Sequence, residues 1–284
     1  MALAMFIFGT LGPFINNISF PSSFIAFSRA VIGTAFILLF MLVTKHKTDI
    51  KAVLKNLKLL IPSGIAMGFN WICLFEAYKY TGVAVATLCY YMAPVIVIIL
   101  SPFILKEKFT KINLISSACA VIGAVLISGV VNGAVKSIKG IVLGLTAAVL
   151  YSSIVIMNKF VSDLHPLETT LIQLASAAVT MLPYIIFTEN ISDFSFDKKS
   201  IILTSIVGIL HTGIAYVIYF GSVQKIPAQT TAVFSYIDPV TAIIISTVFL
   251  NEKMTIIQIA GTILILGATL LNEIAPQKRK EILP

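Results

Sequence analysis

Residues 31–43, 83–105 and 256–271 contain no charged side chain. A helix rises about 1.5 Å per residue and must cross about 30 Å of hydrocarbon, so a membrane span takes about 20 mainly apolar residues. Runs of this kind suit a lipid interior. The rest of the chain agrees: of 284 residues, 58% are hydrophobic and 11% charged, against roughly 25% charged in a soluble domain. That leaves too little polar surface to coat a water-soluble globule. The runs do not alternate apolar and polar residues with period two, which excludes barrel strands. The reading is an all-α membrane protein with ten transmembrane helices, at about 2–17, 22–43, 58–77, 83–104, 111–130, 139–159, 166–187, 200–221, 228–249 and 255–273. The first span has no basic leader or cleavage site and is expected to stay in the membrane. That span looks short, because Asn16 and Asn17 arrive early, and the reading is either a true start upstream or a helix broken near Gly12-Pro13. Residues 47–58 read as an amphipathic surface helix ahead of the third span.

The net charge of +8 would suggest nucleic acid in a soluble protein. Here the lysines sit in short connections, so a positive-inside bias explains them and nucleic-acid binding is excluded. With the connection after the second span inside, thirteen Lys and Arg residues face the cytoplasm and six face out, which puts both termini in the cytoplasm. Cys73, Cys89 and Cys119 fall inside apolar spans, at spacings that suit neither disulfides nor zinc.

An internal repeat organises the chain. A shift of 145 positions lays Tyr91 on Tyr236, Pro94 on Pro239, Ser101 on Ser246, Leu105 on Leu250, Glu107 on Glu252, Lys108 on Lys253 and Thr110 on Thr255. Apolar residues match easily by chance, but Pro, Glu-Lys and Thr in one register do not. Each copy holds five spans, an odd number, so the second lies upside down relative to the first. Inverted repeats around a midplane site are an architecture of alternating-access transporters.

The two copies read Tyr91-Met92-Ala93-Pro94 … Leu105-Lys106-Glu107-Lys108 and Tyr236-Ile237-Asp238-Pro239 … Leu250-Asn251-Glu252-Lys253, each followed by a helix rich in small residues. Phe8-Gly9 in the first span and Arg29 in the second complete the pattern. On these residues the chain resembles the EamA family of the drug/metabolite transporter superfamily. The resemblance implies two repeats, residues 1–131 and 138–284, forming a ten-helix basket. Helices 3, 4, 8 and 9, with parts of 1 and 6, would line a central cavity, and helices 5 and 10 would be peripheral. It further implies export of amino acids or other small metabolites from a bacterial cytoplasm.

Polar groups inside spans are costly and mark partners or wet cavities. The fourth span carries Thr87, Tyr90, Tyr91 and Pro94 on one side, and the ninth carries Ser235, Asp238 and Pro239. Proline frees a carbonyl one turn earlier, so Pro94 and Pro239 are matched helix breaks with a gating role. Asp238, the one carboxylate deep in a span, either binds a substrate ammonium or takes up a coupling proton. His211, Asn70, Trp71 and Tyr216 are further candidates for substrate contact, and Tyr78, Tyr151, Asn158 and Tyr219 complete the set. Arg29, Glu107 and Glu252 read as structural, the two glutamates capping helices 5 and 10, pairing with lysines or gating. Glu76 and Lys79 read as a solvated pair. The three histidines lie far apart, and no metal spacing, nucleophile motif or cofactor motif appears, which argues against a membrane enzyme. The expected partners are a small-molecule substrate and the lipid bilayer. A proton-coupled multidrug exporter is the competing form of the same reading.

Overall fold

The computed structural model describes residues 1–106, 110–128, 137–190, 194–223 and 234–274, with the side chains of residues 272 and 273 left aside. Ten helices carry these residues, with no strand among them. Helix α1 runs as Ala2–Gly9 and Leu11–Asn16, α2 is Ser22–Val43, α3 is Ile50–Thr81, and α4 runs as Val83–Tyr90 and Ala93–Ile104. Helix α5 is Lys111–Ile127, α6 is Ile138–Asn158 and α7 is Pro166–Thr188. Helix α8 runs from Lys198–Ile206 through a π-helical stretch, Val207–Ile214, into Ala215–Val223; α9 is Ile237–Phe249 and α10 is Ile256–Ile274. Six of the ten, α2, α3, α4, α6, α7 and α8, are long and apolar enough to cross a membrane by length and composition.

The outer surface carries the large apolar side chains that a soluble protein would bury. Leu39, Leu42, Phe103, Ile115, Phe187, Val248 and Ile263 are all exposed, a surface matched to lipid rather than to water. Inside, one apolar cluster joins α2, α3 and α7 through Ile25, Ile37, Phe75 and Leu174. A second joins α4, α5, α6 and α10 through Leu88, Val95, Ile127 and Ile265. Helices α5 and α10 approach most closely at two glycines. A Cβ on Gly123 would stand 2.7 Å from the Gly261 carbonyl oxygen, and one on Gly261 would stand 2.6 Å from that of Gly123. Small residues let membrane helices gain packing contact where no hydrophobic force drives them together.

The connections gather at two ends. At the first end the Met1 ammonium donates to Ser222 Oγ at 2.9 Å, Lys55 pairs with Asp163 at 3.0 Å, and His46 meets Glu168 at 3.3 Å. At the second end Ser23 bonds Glu189, Lys199 bonds Asn17 and Lys139 Nζ bonds Tyr80 Oη. Helix α1 therefore runs from the first end to the second, whereas its counterpart α6 starts at the second end beside Tyr80 and runs back. The halves are inverted.

Three elements differ from the sequence reading. The third span takes in the stretch read as a separate surface helix: Asp49 caps it by accepting from Lys51 N and Ala52 N, and the chain stays helical through Pro62 to Thr81. The break in α1 falls at Thr10 rather than at Gly12-Pro13. The breaks in α4 and α9 fall at Tyr91-Met92 and at Tyr236, two or three residues before Pro94 and Pro239. A proline ring clashes with the turn that precedes it and fits easily in the first turn of the next helix, so the interruption lies upstream.

Candidate functional site

Between the halves lies a cavity of about 530 Å³. Helices α1, α2, α3, α4, α6, α8 and α9 contribute to its wall, and the helices expected to be peripheral reach it at single residues, Asn113 of α5 and Thr269 of α10. The paired breaks explain why it forms there. Pro94 has no N–H for the Tyr90 carbonyl and Pro239 has none for that of Ser235; Tyr90 and Ser235, equivalent in the 145-residue register, both line the cavity. Interrupted helices turn backbone and side-chain polarity towards the middle of the protein, where a wet cavity can use it.

Eight aromatic side chains stand in the wall. Trp71, Tyr78, Tyr90, Tyr91, Tyr151, Tyr216 and Tyr219 line it with Phe8. The rings brace one another: Tyr90 meets Tyr151 at a tilt of 46° with centroids 5.3 Å apart, and Phe8 meets Tyr216 edge-on at 5.5 Å. Such contacts fix ring orientation and keep the wall rigid. Two ionisable side chains stand in it. Asp238, from the second half, accepts a hydrogen bond from Tyr91 Oη of the first half at 2.9 Å. Arg29, in α2, is 3% exposed; its guanidinium lies 3.9 Å from the Trp71 ring centroid, and its Nε–H donates to Thr212 Oγ1 at 3.1 Å. Thr212 sits in the π-helical stretch of α8 and donates in turn to the Val207 carbonyl five residues back at 3.2 Å. That wider turn aims Thr212 at Arg29, the kind of use π-bulges often find at functional sites.

The cavity extends to Asn113 and Lys159 at the first end. At the second end the two halves are in contact. Gly12 packs so closely on Val83 that a Cβ would stand 2.4 Å from Val83 Cγ1. Above that contact the Glu252 carboxylate reaches from the second half to the first. It accepts from Val83 N at 2.7 Å and Ala84 N at 3.0 Å. These are the free N–H groups at the start of α4, where the helix dipole favours an anion. Gly82 makes this possible: at φ +85° its Cβ would meet the Glu252 carboxylate oxygen at 2.7 Å. Glu252 thus caps α4 across the halves rather than α10 or a lysine. Glu107, its counterpart, lies outside the described residues.

Not every candidate reaches the cavity. Asn70 is buried, and its Nδ2 donates to the Ala147 carbonyl at 2.6 Å, tying α3 to α6. Asn158 accepts from Gln173 Nε2 at 2.7 Å. His211 is fully buried, with Nε2 3.0 Å from Thr10 Oγ1 and its ring edge-on to Phe14; it holds the break in α1 against α8. Pro239 is buried behind the wall, while Pro94 lines it. Arg29, read as structural, is a wall residue. Lys159, Asn113, Ser101 and Thr269 also line the cavity and went unread as site residues. Lys159 was visible only as a loop charge, and the three polar residues resemble any others in a span. Lys79 Nζ pairs with Glu76 Oε1 at 2.8 Å, as expected.

This cavity, framed by inverted halves, has relatives. The chain is 29% identical over 287 residues to "Uncharacterized transporter YxxF" of Bacillus subtilis strain 168, covering 99% of this chain and 91% of that one. It is 26% identical over 228 residues to a "Probable amino-acid metabolite efflux pump" of Salmonella typhimurium strain LT2, covering 76% of each. A solved crystal structure at 18% identity superposes with a TM-score of 0.67 over 95% of this chain and 93% of the other, which establishes the shared fold. The model of the EamA-like transporter family matches twice, at residues 1–129 and again at residues 138–273. With both halves matched, the chain belongs to the EamA-like transporter family and is a multi-pass membrane transporter rather than an enzyme.

Proposed function

We propose that this transporter is a secondary exporter of amino acids or related small metabolites, working by alternating access across a bacterial cytoplasmic membrane with both termini inside. The observation that carries the reading is one cavity built by both halves, reaching Lys159 at one end, with the halves joined at the other by the Glu252 carboxylate. With the loop lysines placed in the cytoplasm, the end holding Lys159 faces inward, so this is an inward-facing conformation with its outer gate closed. Substrate contact falls to Trp71, Tyr78, Tyr90, Tyr91, Tyr151, Tyr216, Tyr219, Ser235 and Asp238, with the interruptions before Pro94 and Pro239 as the hinges. Inverted halves exchange conformations, so loss of the outer closure would accompany closure at the inner end. The name of the Salmonella relative supports amino acids as the first class to try.

Asp238 and Tyr91 in an aromatic cavity also support the competing form, proton-coupled export of lipophilic cations. Purified protein in liposomes separates the two. Counterflow of radiolabelled amino acids that persists without a pH gradient supports the first; flux of ethidium that follows the gradient supports the second. Flux of neither class, from protein that is folded and inserted, would remove both.

A further inference from the structure

Arg29 is a buried side chain with no carboxylate partner among the described residues. Arg29 takes no part in the contacts that join His46 to Glu168, Lys55 to Asp163 and Lys79 to Glu76. Its neighbours are neutral: Thr212 takes its Nε–H, and Trp71 and Phe75 lie 3.9 and 5.7 Å from the guanidinium carbon. A guanidinium has five N–H donors in a planar fork. One is used by Thr212, the face is used by Trp71, and the Nη edge belongs to a residue that lines the cavity. Taking an unpaired guanidinium out of water is expensive, and an ionisable residue inside a span calls for a named partner. A purely packing role would be served as well by an uncharged side chain of the same length.

We infer that the missing counter-ion is the substrate, and that Arg29 binds the carboxylate of an α-amino acid or a related organic acid through its Nη groups. The fork geometry matches a carboxylate bidentately. Trp71 pins the guanidinium plane, and the Thr212 bond fixes its rotation. The pocket is then bipolar, with Arg29 of the first half for the carboxylate, Asp238 of the second half for the ammonium, and aromatic rings for an apolar side chain. A cavity of about 530 Å³ is within the range of small-molecule sites. This inference rests on the transporter reading above and narrows its substrate to compounds bearing a carboxylate.

The test is binding and counterflow of L-phenylalanine, L-leucine and L-serine, each against its own α-amide, with ethidium alongside, using the full chain in liposomes. The amides keep the ammonium and side chain but lose the carboxylate charge. The expected result is that each amino acid bound by the wild type is preferred at least tenfold over its amide. Arg29→Gln should remove that preference without weakening the amide further, and Arg29→Lys should restore part of it. An amide accepted as well as its acid overturns the inference on the wild type alone, so it stays testable even if Arg29→Gln fails to fold. Ethidium flux without amino-acid flux overturns it too but leaves the transporter reading standing. No flux of any probe overturns both.

Discussion

Single polar side chains decide the chemistry of the cavity, and their bonds predict what their loss does. Tyr91 Oη supplies the hydrogen bond that Asp238 receives across the halves at 2.9 Å. A hydrogen bond of this kind contributes about 0.5–1.5 kcal/mol, so Tyr91→Phe, which leaves Asp238 without its anchor, should weaken binding of an ammonium-bearing substrate about 2- to 10-fold, and Asp238→Asn should weaken it at least as much. Binding isotherms in detergent check both; an unchanged Asp238→Asn would remove Asp238 from the site. Asp197 offers a control outside the membrane. It caps α8, with Oδ1 accepting from Ser200 N at 2.8 Å, and its bonds to Ser200 hold its carboxyl below the ordinary carboxylate range. A lowered native value gives stability that is full above the unfolded value and is lost as pH falls through the native one. Amide exchange in the first turn of α8 should therefore be faster in Asp197→Ala than in the wild type at neutral pH. The difference should close in acid below the ordinary carboxylate range.

Helices set where the protein can bend. In α4 the interruption at Tyr91-Met92 precedes Pro94, and in α9 the interruption at Tyr236 precedes Pro239. Proline inside a helix costs about 3 kcal/mol relative to alanine, a local penalty the interruptions relieve. Pro94→Ala should let α4 run on through Tyr91, stiffening one hinge. The expected outcome is turnover reduced several-fold with substrate affinity changed much less, read from counterflow and binding on the same preparation. The Gly123–Gly261 contact between α5 and α10 should behave differently, because neither glycine lines the cavity. Gly123→Ala pushes a methyl group to 2.7 Å from a backbone oxygen, which cannot rotate away. Overpacking of this kind costs about 1–3 kcal/mol, so the apparent Tm in detergent should fall by several degrees while substrate affinity stays near wild type.

For the whole molecule the decisive contact is the one that closes an end. Glu252 satisfies two helix-start N–H groups across the halves; on the proposed alternating-access cycle its removal should cost only the conformation in which this end is closed, since opening would expose those groups to water. Glu252→Gln keeps an acceptor but loses the charge, a difference of about 1–2 kcal/mol. That should shift the balance of inward- and outward-facing states by about 5- to 30-fold towards the open outer end. Labelling by a membrane-impermeant maleimide, at a cysteine placed at Thr87 with the native cysteines replaced, should then become faster from the outer side. Unchanged labelling would mean that the Gly12–Val83 packing closes the end alone.

Apolar runs of lipid-crossing length already specify the helices, and the five-span register already specifies that the halves are inverted, because both depend on local composition and parity. The same register marks Pro94 and Pro239 as breaks and singles out Asp238, since proline and a carboxylate are conspicuous in an apolar span. The sequence could not decide which polar side chains face the cavity. Asn70, Asn158 and His211 looked as functional as Tyr90 or Tyr216, but they bond the Ala147 carbonyl, Gln173 and Thr10 respectively. Arg29 looked structural and stands in the wall, and Glu252 reaches back 169 residues to cap α4. Helical periodicity places a residue on one side of its own helix; what meets that side depends on how the helices pack and rotate against one another. That is a long-range property, and only the tertiary structure decides it.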